Sequence, residues 1–153
     1  MGKRSAGLLI YRYKPELQVF LVHPGGPFFA KKDDGAWTIP KGEYGDDEEP
    51  FHAAVREFEE ETGIAPAIDS PVPLPAVKQK GGKVVMAWAG QYDIDPSVVV
   101  SNTFALEWPP KSGSMRTFPE IDKAGWFSLE EARKKINTAQ VIWLDYLQAL
   151  QQA

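Results

Sequence analysis

A mixed β-sheet covered by helices is the fold class that this chain of 153 residues predicts. Three observations lead there. Short apolar or alternating runs suited to strands outnumber the helical segments. The helical segments are scattered among those runs rather than grouped. The chain is 43% hydrophobic and 25% charged, the composition of a globular protein long enough to build a core. No repeat, low-complexity tract or strong boundary divides it, so one domain over residues 1–153 is expected.

Taken in order, Gly7–Tyr11, Val19–His23 and Trp37–Ile39 read as strands, followed by strands around Val84–Ala89 and Gly125–Phe127. Residues 24–34 are rich in Gly, Pro and charge, and residues 65–75 carry four prolines, so both are expected to be loops. A helix is expected from about Glu48 to Thr62. Pro50 falls in its first turn, where a missing N–H does least harm, and Asp46 and Asp47 place negative charge at its positive end. Gly63 can supply the left-handed stop, and Pro66 prevents continuation. The stretch "KQKGGK" reads as a hairpin turn, and residues 103–120 read as a long loop. Ser128 and Glu131 have capping-box spacing ahead of a short helix, "LEEARKKI". A last helix is expected from about Thr138 to Leu150, with Val141, Leu144 and Leu147 turned inward.

Composition narrows the function classes. The net charge of -4 argues against a broad basic surface for duplex nucleic acid. It leaves room for a phosphate-bearing ligand if a cation screens the acids. Cysteine is absent, which excludes disulfides, a thiol nucleophile and thiolate metal sites, and suits a reducing, cytoplasmic setting. No apolar run approaches the roughly 20 residues of a membrane helix, so no membrane partner is expected. Only His23 and His52 exist, and both are expected to be surface or packing residues.

The expected helix carries the most informative pattern. At about 100° per residue, Phe51, Ala54, Val55 and Phe58 form an apolar arc. His52, Arg56 and Glu59 form a polar arc. Glu57, Glu60 and Glu61 form a third, at i, i+3 and i+4. Like charges at those spacings destabilise a helix by a few tenths of a kcal/mol each, and partial burial raises that cost or drives protonation. A solvated acidic face is one outcome. The other is a hard divalent cation, since Mg²⁺ takes oxygen ligands and tolerates retained water and phosphate oxygens.

The surrounding residues add to this. From Gly42 there are five residues to Glu48, then seven to Arg56, then "REFEEETGI". This arrangement resembles the Nudix box: Gly, five residues, Glu, seven residues, Arg-Glu-aliphatic-any-Glu-Glu-any-Gly-aliphatic. Phe58 is the one soft position, aromatic where an aliphatic residue is usual. The resemblance implies a Nudix-type α/β/α sandwich around a mixed sheet, in the α/β class, and cleavage of a phosphoanhydride in a nucleoside diphosphate joined to another group. It implies Mg²⁺ or Mn²⁺ held by Glu57, Glu60 and Glu61 with the carbonyl of Gly42, and Glu48 as an outer ligand or support. Arg56 would orient a carboxylate, with Glu60 at i+4 a partner. Glu57, Glu107 and Glu120 are the candidates for general base.

On the substrate side, Lys41 stands beside Gly42 and can reach a phosphate as a compact charge. Lys78, Lys80 and Lys83 surround the expected hairpin turn and are turn lysines unless one faces the site. Residues 103–120 carry Phe104, Trp108, Lys111, Arg116 and Phe118, with aromatics suited to base stacking and cations suited to phosphate. "WTIPKGE" is similar to the entry of Nudix hydrolases acting on dinucleoside polyphosphates and diphosphoinositol polyphosphates. A small-molecule nucleotide is therefore the expected partner, foremost a dinucleoside polyphosphate such as diadenosine tetraphosphate, cleaved to ATP and AMP. Gly81 and Gly82 stand where many such enzymes carry a tyrosine. The alternatives are a nucleoside triphosphate pyrophosphohydrolase and a non-catalytic nucleotide-binding module.

Overall fold

The computed structural model of the protein describes residues 3–152. Its frame is set by β1 (Arg4–Tyr13), buried along most of its length because "SAGLLI" offers small or apolar groups to both faces. β6 (Val84–Gln91) runs parallel to it over eight residue pairs. β2 (Leu17–Pro24) pairs antiparallel with only the far end of β1, from Tyr11↔Val19 to Tyr13↔Leu17. Beyond that point β2 parts from β1 and pairs instead with β9 (Ile121–Ser128). Residues 38–40 fill the fork, with Val22 bridging Thr38 on one side and the Leu8 N–H donating to the Pro40 carbonyl on the other. The chain then forms β3 (Lys41–Glu43) on the first half of β1, with Gly42 opposite Ala6 and Lys41 opposite Gly7. Gly7 permits this approach: a Cβ there would lie 2.5 Å from the Pro40 carbonyl oxygen. The expected strand at Trp37–Ile39 is thus corrected. Those residues make isolated bridges because they are wedged between two strands, and the regular pairing begins at Lys41.

β4 (Val72–Pro73) and β5 (Val77–Lys78) are two-residue strands along β6, the first of them inside the stretch expected to be loop. Residues 103–120, also expected to be loop, instead form an antiparallel hairpin of β7 (Thr103–Glu107) and β8 (Met115–Pro119), closed by Phe104 against Phe118. The turn residues at 109–114 hide the two short strands on either side.

Helices cover both faces. α1 (Pro50–Thr62) begins two residues later than expected, with Glu49 as its cap accepting the His52 N–H and Gly63 in the left-handed conformation at its end. Ala53, Ala54 and Phe58 pack on Ala6, Leu8, Ile10, Phe20 and Val22. Ala53, one turn before Glu57, lies in this core. On the other face, α2 (Leu129–Lys135) and α3 (Val141–Gln152) bring Ala132, Trp143, Leu144 and Leu147 against Leu9, Val19, Leu21, Ile39 and Val85. Each large apolar side chain buried this way contributes about 1.5–3 kcal/mol. The Trp143 indole N–H donates to the Pro75 carbonyl, so its burial leaves no orphan donor. Gln140 is fully buried at the head of α3, where its amide oxygen accepts the Ile39 N–H and its amide nitrogen donates to Thr38 and Gln79. That pins the wedged segment leading to Lys41. The result is an α/β/α sandwich on a mixed sheet. No helix among the described residues is long and apolar enough to cross a membrane.

Candidate active site

β3 and α1 meet where Gly42 faces Glu57. A Cβ at position 42 would lie 1.6 Å from Glu57 Oε2, so only glycine lets this carboxylate rest on the strand. Glu57 is 9% exposed. Burial pushes its carboxyl up from the usual range, Glu60 adds to the shift, and Arg56 opposes it. Arg56 sits at the centre of three acids. Its Nε and Nη2 make a fork onto Glu48 at 2.6 and 2.8 Å, and its Nη1 reaches Glu57 at 2.9 Å and Glu60 at 2.8 Å. The Glu48 carboxyl is held below its ordinary range by that fork. The expected Arg56–Glu60 pair is present, together with two further partners.

Glu61, one residue on, points into a different space. It lines a cleft of about 160 Å³ with Thr38, Pro40, Lys41, Pro24 and Glu120. Burial, then Glu120 and Glu57, push the Glu61 carboxyl up to about 7. Burial, then Lys83, bring the Lys41 ammonium down to about 8, with Glu61 and Glu43 opposing. Glu120 itself is exposed and comes from the junction between β8 and β9. Residues far apart in the chain are thereby gathered at one mouth: Lys41, Glu61 and Glu120. Glu107 goes elsewhere. It sits at the turn end of the hairpin, and its carboxylate caps the Lys111 and Gly113 N–H groups. That structural task removes it from the candidates for general base.

Lys78 lines a second and larger groove of about 1050 Å³, with Lys3, Arg4, Glu43, Tyr44 and Gly82 among its walls. Arg4 lies over the Tyr44 ring at 5.6 Å, and Lys83 reaches Glu43 at 3.6 Å. The groove shares Glu43 and Tyr44 with the chain just past Gly42. Sequence reasoning missed Lys3, Arg4 and Tyr44, and only the pairing of β1 with β3 reveals them. Trp108 and Arg116 lie on the hairpin, where Trp108 meets Phe28 edge-on at 5.4 Å and Arg116 is exposed opposite Leu106. Of the two histidines expected at the surface or in packing, His52 is exposed and His23 is buried against Trp37.

Glu57, Glu60 and Glu61 offer hard oxygen donors from α1, and burial, with neighbouring acids adding to it, raises the carboxyls of Glu57 and Glu61. This donor chemistry suits a divalent cation that keeps part of its water. The acids are spread rather than converged. Among the described residues no three acidic or imidazole side chains come together as a ready ligand group.

The fold and this rim together define an α/β sandwich protein whose strand glycine lies against a glutamate-lined helix. The NUDIX domain model matches residues 1–147, and the chain belongs to that family. It is 36% identical over 91 residues to Nudix hydrolase 25 of Arabidopsis thaliana, covering 52% of this chain and 50% of that protein. It is 43% identical over 70 residues to an RNA pyrophosphohydrolase of Novosphingobium aromaticivorans, covering 42% of each. The chain thus matches half or less of the length of these curated relatives. Among solved structures, the binary complex of a C. elegans Ap4A hydrolase superposes with a TM-score of 0.69 at 22% identity, covering 97% of this chain and 98% of that one. That likeness concerns the fold.

Proposed function

We propose that this protein is a metal-dependent pyrophosphohydrolase that cleaves a phosphoanhydride bond in a nucleoside diphosphate linked to a further group, foremost a dinucleoside polyphosphate such as diadenosine tetraphosphate. The observation that carries this is the contact of Glu57 with Gly42 beside an Arg56 tied to three acids. The like charges of Glu57, Glu60 and Glu61 on one helix oppose one another by a few tenths of a kcal/mol per pair, which a bound cation would relieve. Glu57, Glu60 and Glu61, with the Gly42 carbonyl, would hold Mg²⁺ or Mn²⁺. When bound, the metal neutralises the diphosphate and renders water nucleophilic. Arg56 fixes the carboxylates by its fork, a geometry that lysine lacks. Lys41 meets the phosphates at the cleft mouth. Glu120 takes the proton from the attacking water, with Glu57 the other candidate. Lys78 offers charge to the distal phosphates, while Trp108 and Arg116 on the hairpin serve the base and its phosphate.

The dinucleoside preference draws on "WTIPKGE" and on the fold shared with an Ap4A hydrolase. A second reading, hydrolysis at a 5′-triphosphate end, is favoured by the likeness to an RNA pyrophosphohydrolase. A panel of diadenosine tetraphosphate, nucleoside triphosphates, 5′-triphosphorylated RNA and ADP-ribose, incubated with Mg²⁺ and resolved by chromatography, tests both. Turnover of diadenosine tetraphosphate to ATP and AMP is expected. Fastest turnover of a triphosphate end selects the second reading, and turnover of ADP-ribose alone rejects both.

A further inference from the structure

We propose that Gln140 is a positioning residue that holds the Lys41–Gly42 rim and the lysine turn of residues 78–83 at one fixed spacing, so that a single polyphosphate meets both. This role belongs to the hydrolase reading above and rests on it wherever metal uptake or turnover is measured. Gln140 is fully buried at the head of α3. Its Oε1 accepts the Ile39 N–H at 3.2 Å. Its Nε2 donates to Thr38 Oγ1 at 2.9 Å and to Gln79 Oε1 at 3.0 Å. The orientation of the amide follows from its partners. The Ile39 N–H only donates, so the oxygen must face it, which turns the nitrogen toward the acceptors. Thr38 gives its own hydroxyl proton to the Ile39 carbonyl at 3.0 Å and keeps a lone pair for Gln140.

Backbone order explains why an amide stands here. The end of α2 ties residues 35–37 from one side. The Gly35 N–H donates to the Lys134 carbonyl, the Trp37 N–H to the Lys135 carbonyl and the Asn137 N–H to the Trp37 carbonyl. At Asn137 the chain turns away into the 3₁₀ turn Thr138–Gln140. Position 39 is next on that edge, and among the described residues no backbone carbonyl takes its N–H. The Gln140 side chain supplies the missing acceptor. Pro40 has no N–H, so Ile39 is the last donor tied on this edge before β3 begins. An unpaired donor at a fully buried residue costs more than the bond itself contributes, so without Gln140 residues 39 and 40 would shift to find a partner. Gly42, which lies against Glu57 with no room for a Cβ, would shift with them.

The second arm reaches the turn. The Gln79 N–H donates to the Lys83 carbonyl at 2.7 Å, and the Gln79 carbonyl accepts the Gly82 N–H at 3.1 Å. Lys78 stands in the wall of the larger groove, and Lys83 lies 3.6 Å from Glu43. One amide thus joins the strand that carries Lys41 to the turn that carries the other lysines. Packing alone does not ask for it, since methionine is unbranched, fills irregular gaps and needs no partner.

Gln140→Met keeps the space filled and removes the bonds. Exchange of the Leu8 amide, which donates to the Pro40 carbonyl, should quicken about tenfold. Mn²⁺ affinity, read by electron paramagnetic resonance, should weaken about tenfold. Gln140→Glu keeps an oxygen for the Ile39 N–H and should recover most of both. Leu147→Ala opens a cavity under the same helix and removes no hydrogen bond, so the Mn²⁺ affinity of the folded protein should stay as it was. Unchanged exchange in Gln140→Met, no recovery in Gln140→Glu, or an equal loss of affinity in Leu147→Ala overturns the proposal. The last is the result that a merely structural glutamine would give. Gln79→Ala cuts the turn arm alone. KM for diadenosine tetraphosphate should rise about three- to tenfold with a smaller fall in kcat, and an unmoved KM overturns the spacing. If Gln140→Met does not fold, Gln79→Ala decides. If the unaltered protein takes up no Mn²⁺ and cleaves no nucleotide, the hydrolase reading fails, and the Leu8 exchange alone decides whether Gln140 positions the rim.

Discussion

The two faces of the central sheet are built to different ends. Under α2 and α3 the contact is apolar and closed: Trp143, Leu144 and Leu147 are fully buried, and the buried Gln140 amide has partners for both its ends. Over α1 the core beneath is equally apolar, but its rim holds a buried carboxylate, a guanidinium shared among three acids, and a second carboxyl pushed up to about 7. The first face stabilises the fold. The second gives up stability to keep charge concentrated, the trade expected where a chain binds a charged ligand.

The sharpest way to separate the faces is Glu57→Gln. On the reading proposed here it lowers kcat about 10²–10⁴-fold, while circular dichroism shows the fold intact. Loss of fold instead would mean that α1 depends on Glu57 for structure. Its counterpart across the sheet is Trp143→Ala, which should cost about 3–5 kcal/mol in denaturant unfolding without altering the residual activity of the folded fraction. Arg56→Lys removes the fork but keeps the charge. A loss of about 10–100-fold in kcat/KM is expected, and an unchanged rate would show that the guanidinium geometry is idle.

The smallest effect tests the sign of the charge strain. The Glu61 carboxyl is raised in the folded protein from the ordinary 4.5 to about 7. The folded state therefore binds this proton more tightly than the unfolded chain does. Its contribution to stability is present below about 4.5 and is lost as pH rises through about 7. With divalent cations chelated, Glu61→Gln should be the more stable protein at pH 8, by about 1–3 kcal/mol, and no more stable at pH 4.5. A thermal melt at both pH values reads this directly. Added Mg²⁺ should shrink the difference at pH 8.

Much of the α1 face could be read from residue order, because caps, periodicity and acid spacing are all local. Pro50, Gly63 and the Glu57–Glu60–Glu61 stripe needed no tertiary information. What escaped was whatever depends on chain segments meeting. Lys41, Glu61 and Glu120 share a cleft only because β2 parts from β1 and β9 returns beside it. The hairpin of β7 and β8 read as loop because β7 is short and β8 buries only Phe118 in part, which leaves its second strand without an alternation. Trp37–Ile39 had strand composition but met no continuous partner. His23 read only as a surface or packing residue, because its partners, Asp122 and the Lys32 carbonyl, are not marked in residue order.

The fork between β1 and β2 has an effect at a distance. Whatever occupies it sets how far Lys41 and Gly42 project toward the glutamates, and the gap is held open to the right width by an absent methyl at Gly7. A single added carbon there would lift the Pro40 carbonyl and carry the next two residues away from α1. A change deep in the middle of the sheet, touching none of the acids, would shift the rim while the far side of the molecule stayed packed.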